Sequence, residues 1–185
     1  MKAASILILS DTHGDVAALA AVFQWAKKRD ITTLAFLGDG AEDLPLAAGR
    51  TDFWPPWKIV RGNGDHDHRL PIADTLEVGG KRFFLCHGHH HGVQEGLDSL
   101  ISTAKASQAQ GALFGHTHRP YYEEIEGLLV LNPGSLGKPR GSLGPSFATV
   151  DINEDPNQWF LVQFWVLQEG LMGKKTVRKI ESYVS

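Results

Sequence analysis

Five short apolar runs in the first 118 residues each end in side chains able to bind a metal, and this repetition limits the chain's folds more than any other feature. Leu9 leads to Asp11 and His13, Leu37 to Asp39, Val60 to Asn63, Cys86 to His87, and Phe114 to His116 and His118. The runs are rich in Ile, Leu, Val and Phe and are bounded by turn residues, the pattern of buried strands. In an open α/β sheet the carboxyl ends of parallel strands gather on one edge, where ligands bind, so residues far apart in sequence converge there.

Periodicity gives the rest of the organisation. Residues 5–9 read as the first strand and 32–37 as the second. Between them, 15–29 carry Val16, Leu19, Ala20, Phe23 and Ala26 at helical spacing, so a right-handed strand–helix–strand unit is expected. Further strands are expected at 58–61, 74–78, 81–86, 111–114, 119–125, 127–131, 146–152 and 158–167, with a helix over 93–106. Loops 41–57, 90–94 and 132–145 are expected to wall a pocket. Over 171–185, Val177, Ile180 and Val184 could line a helix face, but the segment is short and its reading stays open. The first half alternates strands and helices and the second is mostly strands, which implies two packed sheets flanked by helices in one domain, 1–185.

Composition narrows the function classes. A chain of 185 residues with 42% hydrophobic residues suits a single globular core, and its net charge of −3 offers no basic surplus for long nucleic acids or anionic lipid. No apolar run approaches the roughly 18 residues of a membrane span, and the opening lacks a cleavage-site pattern, so a cytoplasmic location is expected. The single cysteine, Cys86, rules out an internal disulfide. All nine histidines precede Arg119. Imidazole is the commonest protein metal ligand, so that bias points to a site.

The candidate ligands are two carboxylates, one amide oxygen and four imidazoles without a thiolate, a set suited to Mn, Fe, Co or Zn. Two divalent ions would bring four positive charges against the two negative ones of Asp11 and Asp39, a surplus able to hold a phosphate ester and a bridging hydroxide. Two metals roughly 3.5–4 Å apart can clamp an in-line displacement at phosphorus.

The blocks Asp11-Thr12-His13, Gly38-Asp39, Gly62-Asn63-Gly64-Asp65, His87-Gly88-His89 and Gly115-His116-Thr117-His118 resemble, in order and spacing, the motifs of the calcineurin-like metallophosphoesterases. Short length, the His-Gly-His block and Asn132-Pro133-Gly134-Ser135 are similar to the small, single-domain YfcE-like phosphodiesterase branch. The resemblance covers residues 5–152 and implies an αββα sandwich. It implies that Asp11, His13 and His118 bind one metal, Asn63, His87 and His116 the other, and Asp39 both. The implied activity is a dinuclear metal-dependent phosphodiesterase in which a metal-bridging hydroxide attacks phosphorus. Manganese is the first expectation, with Fe, Co, Ni or Zn as alternatives. The expected substrate is a small phosphodiester, nucleotide-derived ones included, and an oligomer is allowed.

Asp43 resembles the second acid of Gly-Asp-x-x-x-Asp, but Leu44-Pro45 replaces the Arg-Gly of protein phosphatases, which argues against that activity. Gly64 occupies the position where many relatives carry a proton-donating histidine, which leaves His66 and His89 as candidate catalytic residues. Arg140 is a candidate for the substrate phosphate, and Trp54 and Trp57 for a pocket border. Asp65 reads as an orienting residue or backbone cap, and His90 and His91 as exposed loop residues. Two rival readings are a protein-interaction scaffold of the retromer-subunit type, which the full ligand set disfavours, and a nuclease of the same superfamily, which the acidic balance disfavours.

Overall fold

In the computed structural model, which describes residues 2–155, 157–170 and 175–181, the apolar runs assemble into two mixed sheets stacked face to face. The first runs β11 (Lys175–Lys179), β10 (Phe160–Glu169), β9 (Ser146–Asn153), β1 (Lys2–Leu9), β2 (Thr33–Phe36) and β3 (Trp57–Ile59) across its width. The second runs β4 (Ala73–Val78), β5 (Lys81–Cys86), β6 (Gly111–Leu113), β8 (Leu128–Pro133) and β7 (Pro120–Ile125). Strands β1, β2 and β3 are parallel, as are β5, β6 and β8, so each sheet has an edge where carboxyl ends collect.

Alternation along β1 shows why these strands are apolar throughout. Ile6 and Ile8 enter the layer between the sheets with Leu37, Phe83, Leu85 and Phe164, while Leu7 and Leu9 face α1 (Val16–Ala26) and α2 (Asp43–Thr51) on the outer side. A strand covered on both faces must be apolar on both. Beneath α3 (Asp98–Ala106), Phe84, Cys86, Leu100 and Phe114 form a third cluster on the outer face of the second sheet. The result is the expected αββα order, with each fully buried Leu, Ile or Phe contributing about 1.5–3 kcal/mol.

Differences from the sequence reading cluster where glycine and proline interrupt the pattern. The expected loop 41–57 contains α2, which buries Leu44, Ala47 and Ala48, and Pro45 is tolerated because it stands in the helix's first turn. The helix expected over 93–106 starts only at Asp98, since a 3₁₀ turn at His89–His91 closes on Gly92 with φ of 61°. α1 stops at Ala26, and its Asp15 cap accepts from the Ala18 N–H at 2.8 Å. The open question over 171–185 resolves as a strand for Lys175–Lys179, paired antiparallel with β10. Val177 packs on the α1 side and Ile180 against the inter-sheet layer, while Val184 lies outside the described residues. Among the described residues no helix is long and apolar enough to cross a membrane.

Candidate metal centre

The turns leaving β1, β2 and β6 hold five of the candidate ligands in the left-handed region: φ is 55° at Asp11, 45° at His13, 59° at Asp39, 67° at His116 and 60° at His118. Asp and His enter this region more readily than bulky residues, yet each such residue costs on the order of 1–3 kcal/mol and persists only where its surroundings over-determine it. Here neighbouring turns tie one another down. The Asp11 N–H donates to Gly38 O at 2.9 Å, the His13 N–H to Asp39 O at 3.1 Å and the Gly115 N–H to His87 O at 3.0 Å. Gly62 is required by close approach, because a Cβ there would lie 2.1 Å from Asp39 Oδ1.

Two overlapping donor groups result, Asp11–His13–His118 and Asp11–Asp39–His87, each with its ligand atoms within 4.8 Å of one another. In the outer group, His118 Nε2 lies 3.2 Å from both Asp11 Oδ1 and His13 Nε2. His118 donates its Nδ1–H to the Lys138 carbonyl at 2.7 Å, so in the neutral ring Nε2 carries a lone pair. Three donor atoms, Asp11 Oδ1, His13 Nε2 and His118 Nε2, thus converge on one point, an arrangement that fits a bound cation. The close approach to Asp11 raises the His118 imidazole above its ordinary value against the opposing effect of burial, whereas burial lowers His13 although Asp11 and Asp39 pull it upward.

In the inner group, His87 donates Nδ1–H to Leu37 O at 2.6 Å, leaving Nε2 fully buried with no hydrogen-bond partner, 3.6 Å from Asp39 Oδ2 and 3.9 Å from Asp11 Oδ1. Asp11 Oδ1 is likewise buried without a bond of acceptable geometry despite its short distance to His118. Buried polar atoms are nearly always satisfied, so two such orphans 3.9 Å apart fit a bound cation. Carboxylate and imidazole donors oriented by carbonyls through their second nitrogen fit a divalent first-row metal. His116 extends this side: its ring centroid is 5.1 Å from that of His87, and its Nε2 meets the Gln94 amide at 3.1 Å.

The frame around these ligands contains residues that the motifs alone did not assign. Asp65 accepts four backbone N–H groups, from Asp39, Gly40, Ala41 and Gly62, at 2.7–2.9 Å. Burial alone would raise its carboxyl, but these bonds outweigh it and hold the group below its ordinary value. Of its two expected roles Asp65 therefore takes the backbone cap. Asp43, at the start of α2, accepts the Thr12 hydroxyl at 2.6 Å and the Gly14 N–H at 2.9 Å, which locks the Asp11–Gly14 turn to the helix. Ser135 donates to Asp11 O at 2.7 Å, and the Asn132 amide donates to Gly115 O at 2.7 Å. A sequence signal existed for these last two in Asn132-Pro133-Gly134-Ser135, but their targets lie in other loops.

The remaining candidates are distributed unevenly. Asn63 is exposed in the turn whose next residue, Gly64, donates its N–H to Asp39 Oδ1 at 2.7 Å. His89 joins the imidazole cluster, with ring centroids 5.3 Å from His87 and 6.0 Å from His116 and a buried Nδ1 without a partner. Burial, then the neighbouring imidazoles, push its pKa down to about 4. His66 is not brought into this cluster and lines a separate depression beside Trp57. Arg140 is exposed, and its backbone N–H donates to His118 O at 3.0 Å.

A family model for the calcineurin-like phosphoesterase superfamily domain matches residues 4–155. The probable metallophosphoesterase YsnB of Bacillus subtilis is 28% identical over 157 residues, covering 82% of this chain and 86% of the relative. Phosphodiesterase YfcE of Escherichia coli K12 is 28% identical over 167 residues, covering 79% and 86%. Among solved structures, Vps29 of Chaetomium thermophilum superposes with a TM-score of 0.73 at 22% identity, over 96% of this chain and 95% of that one. Matched over most of its length and carrying the donor set at the edges of its two sheets, the chain belongs to the calcineurin-like phosphoesterase superfamily.

Proposed function

We propose that this protein is a dinuclear metal-dependent phosphodiesterase, and the observation that carries the reading is the pair of buried, partnerless atoms Asp11 Oδ1 and His87 Nε2 at the crevice. Asp11, His13 and His118 would hold one ion, Asn63, His87 and His116 the other, and Asp39 would contribute to both. When bound, two such ions, manganese first among them, supply a water-derived nucleophile near neutral pH and charge stabilisation for the phosphoryl oxygens. The names of YsnB and YfcE support hydrolysis of phosphate esters. The likeness to Vps29 supports the shared fold, while the convergence of Asp11, His13, Asp39, His87 and His118 favours the enzyme over a pure scaffold.

The chain's own residues orient the ester. Arg140, anchored to His118 by its backbone, supplies a guanidinium for a non-bridging oxygen. Gly64 offers no proton to the leaving oxygen; His89, next to His87 and His116, has a pKa lowered to about 4, so near neutral pH it can reach that oxygen only as a neutral imidazole N–H. Elemental analysis of manganese-grown protein should find close to two ions per chain, and bis(p-nitrophenyl) phosphate should be hydrolysed in a metal-stimulated way. Asp39→Asn should lose both ions and reduce turnover by about 10²–10³-fold. A dialysed wild-type protein with neither metal nor metal-stimulated hydrolysis would sink the reading in favour of a scaffold.

A further inference from the structure

Close in sequence to the Asp39 turn lies a depression of about 530 Å³ lined by the apolar Pro45, Trp57, Ile59 and Leu70 and by the polar Glu42, Asp65, His66 and Asp67. Its size falls in the usual range for small-molecule sites, which are mostly apolar with a few oriented polar groups. The Trp57 ring lies 5.8 Å from that of Trp54, which is 57% exposed, so the walls continue outward as an open aromatic surface.

Distance along the chain links this depression to the candidate centre. Ala41, part of its lining, is two residues beyond Asp39, and His66 is two residues beyond Gly64, whose N–H binds Asp39 Oδ1 at 2.7 Å. Two residues span at most about 7 Å, roughly the reach from a phosphorus to the far side of a sugar. Gly64 itself carries no side chain beside Asp39. We infer that this depression is the subsite for a planar heteroaromatic base, so that the substrate is a nucleotide-derived phosphodiester whose base stacks on Trp57 while its phosphate sits at the metal centre. The inference rests on the proposed phosphodiesterase reading for the phosphate's position, although base binding itself does not require metal.

Charge favours a base over other flat groups. Asp65 is consumed by backbone donors and Asp67 by Arg69 at 2.9 Å, which leaves Glu42 to accept from a ring amino group and His66 to bond a ring nitrogen. A second anionic group would find no cation in this lining.

Two measurements test the proposal. Adenosine titrated into metal-free protein should quench tryptophan fluorescence, and the quench should vanish in Trp57→Ala and in Leu70→Trp, whose added ring fills the depression from its rim. In calorimetry on manganese-loaded protein, adenosine 5′-monophosphate should bind at least roughly tenfold more tightly than methyl phosphate, and either variant should erase that advantage without weakening methyl phosphate. Leu70→Trp keeps the test decisive if Trp57→Ala fails to fold. Methyl phosphate that does not bind, with adenosine quenching intact, would count against the phosphodiesterase reading alone. Equal affinity for the two phosphates, or no adenosine quenching, would overturn the subsite. So would a dimer in sedimentation that Leu70→Trp dissociates, which would assign the surface to a second copy of the chain.

Discussion

The two ends of the candidate metal centre are built differently. At the inner end, the His87 side chain has no exposure and is aimed by Leu37 O, a carbonyl at the end of the strand layer. At the outer end, His13 is 19% exposed, and His118 is aimed by Lys138 O from a surface loop. The inner ligand is therefore held by the core, and the outer ligands by loops that Ser135 and Asp43 tie together. Burying an unsatisfied imidazole nitrogen costs about 1–3 kcal/mol, which a bound cation removes. The inner end should accordingly bind metal more tightly and release it more slowly.

Single-ligand substitutions challenge that contrast most strongly. His87→Ala and His13→Ala should each lower turnover by about 10²–10³-fold, since on the proposed reading each removes a metal ligand. Their metal contents should differ. His13→Ala should retain an ion that resists dialysis, whereas the ion left in His87→Ala should be lost readily to a chelator. Equal chelator half-times for the two variants, measured by stopped mixing and elemental analysis, would show that burial does not separate the two ends.

Next in size are the carboxylates that hold the turns. Asp65→Asn leaves four backbone N–H groups facing an amide that cannot accept from all of them, so a loss of about 2–4 kcal/mol in denaturant unfolding is expected. Asp43→Asn disturbs only the Thr12 and Gly14 contacts and should cost about 1–2 kcal/mol. The sign with pH follows from the depressed carboxyl of Asp65. Its stabilisation is present above the ordinary carboxylate value of 3.8 and is lost as pH falls through the lower folded-state value, so the gap between wild type and Asp65→Asn should narrow in acid. A gap that stays constant or widens as the pH falls below 4 would remove the ionised Asp65 from this role.

The unequal ends also explain what was legible in the sequence. Candidate ligands could be named because each follows an apolar run, and parallel pairing within the two sheets brings Asp11, His13, Asp39, His87 and His118 together. Two packed sheets flanked by helices followed from the order of strands and helices, the αββα sandwich was implied by the family resemblance, and strands such as β1, apolar on both faces, show the physical reason for it. The left-handed turns at Asp11, Asp39 and His118 were not legible, since no local residue preference demands them and they exist only through bonds between loops. Asp65 was ambiguous for the same reason: three of its four partners lie in a turn more than twenty residues away. Helix α2 was hidden by Pro45 and Gly49, which local preference reads as loop, although burial of Leu44, Ala47 and Ala48 against the sheet outweighs them.

The smallest expected effect concerns the residue next to His87. Cys86 packs with Phe84, Leu100 and Phe114 under α3, and burial pushes its thiol up to about 12. A thiol reagent attacks the thiolate, so native wild-type protein should react only as fast as it unfolds. Successive strand residues point to opposite faces, which sets Cys86 apart from the His87 ring and its bond to Leu37 O. His87→Ala should therefore leave Cys86 as protected as before. If the variant's thiol reacts many times faster under native conditions, the substitution has loosened the second sheet. Its lost turnover would then report core damage rather than a missing ligand, and the contrast between a core-held and a loop-held end would have to rest on His13 and His118 alone.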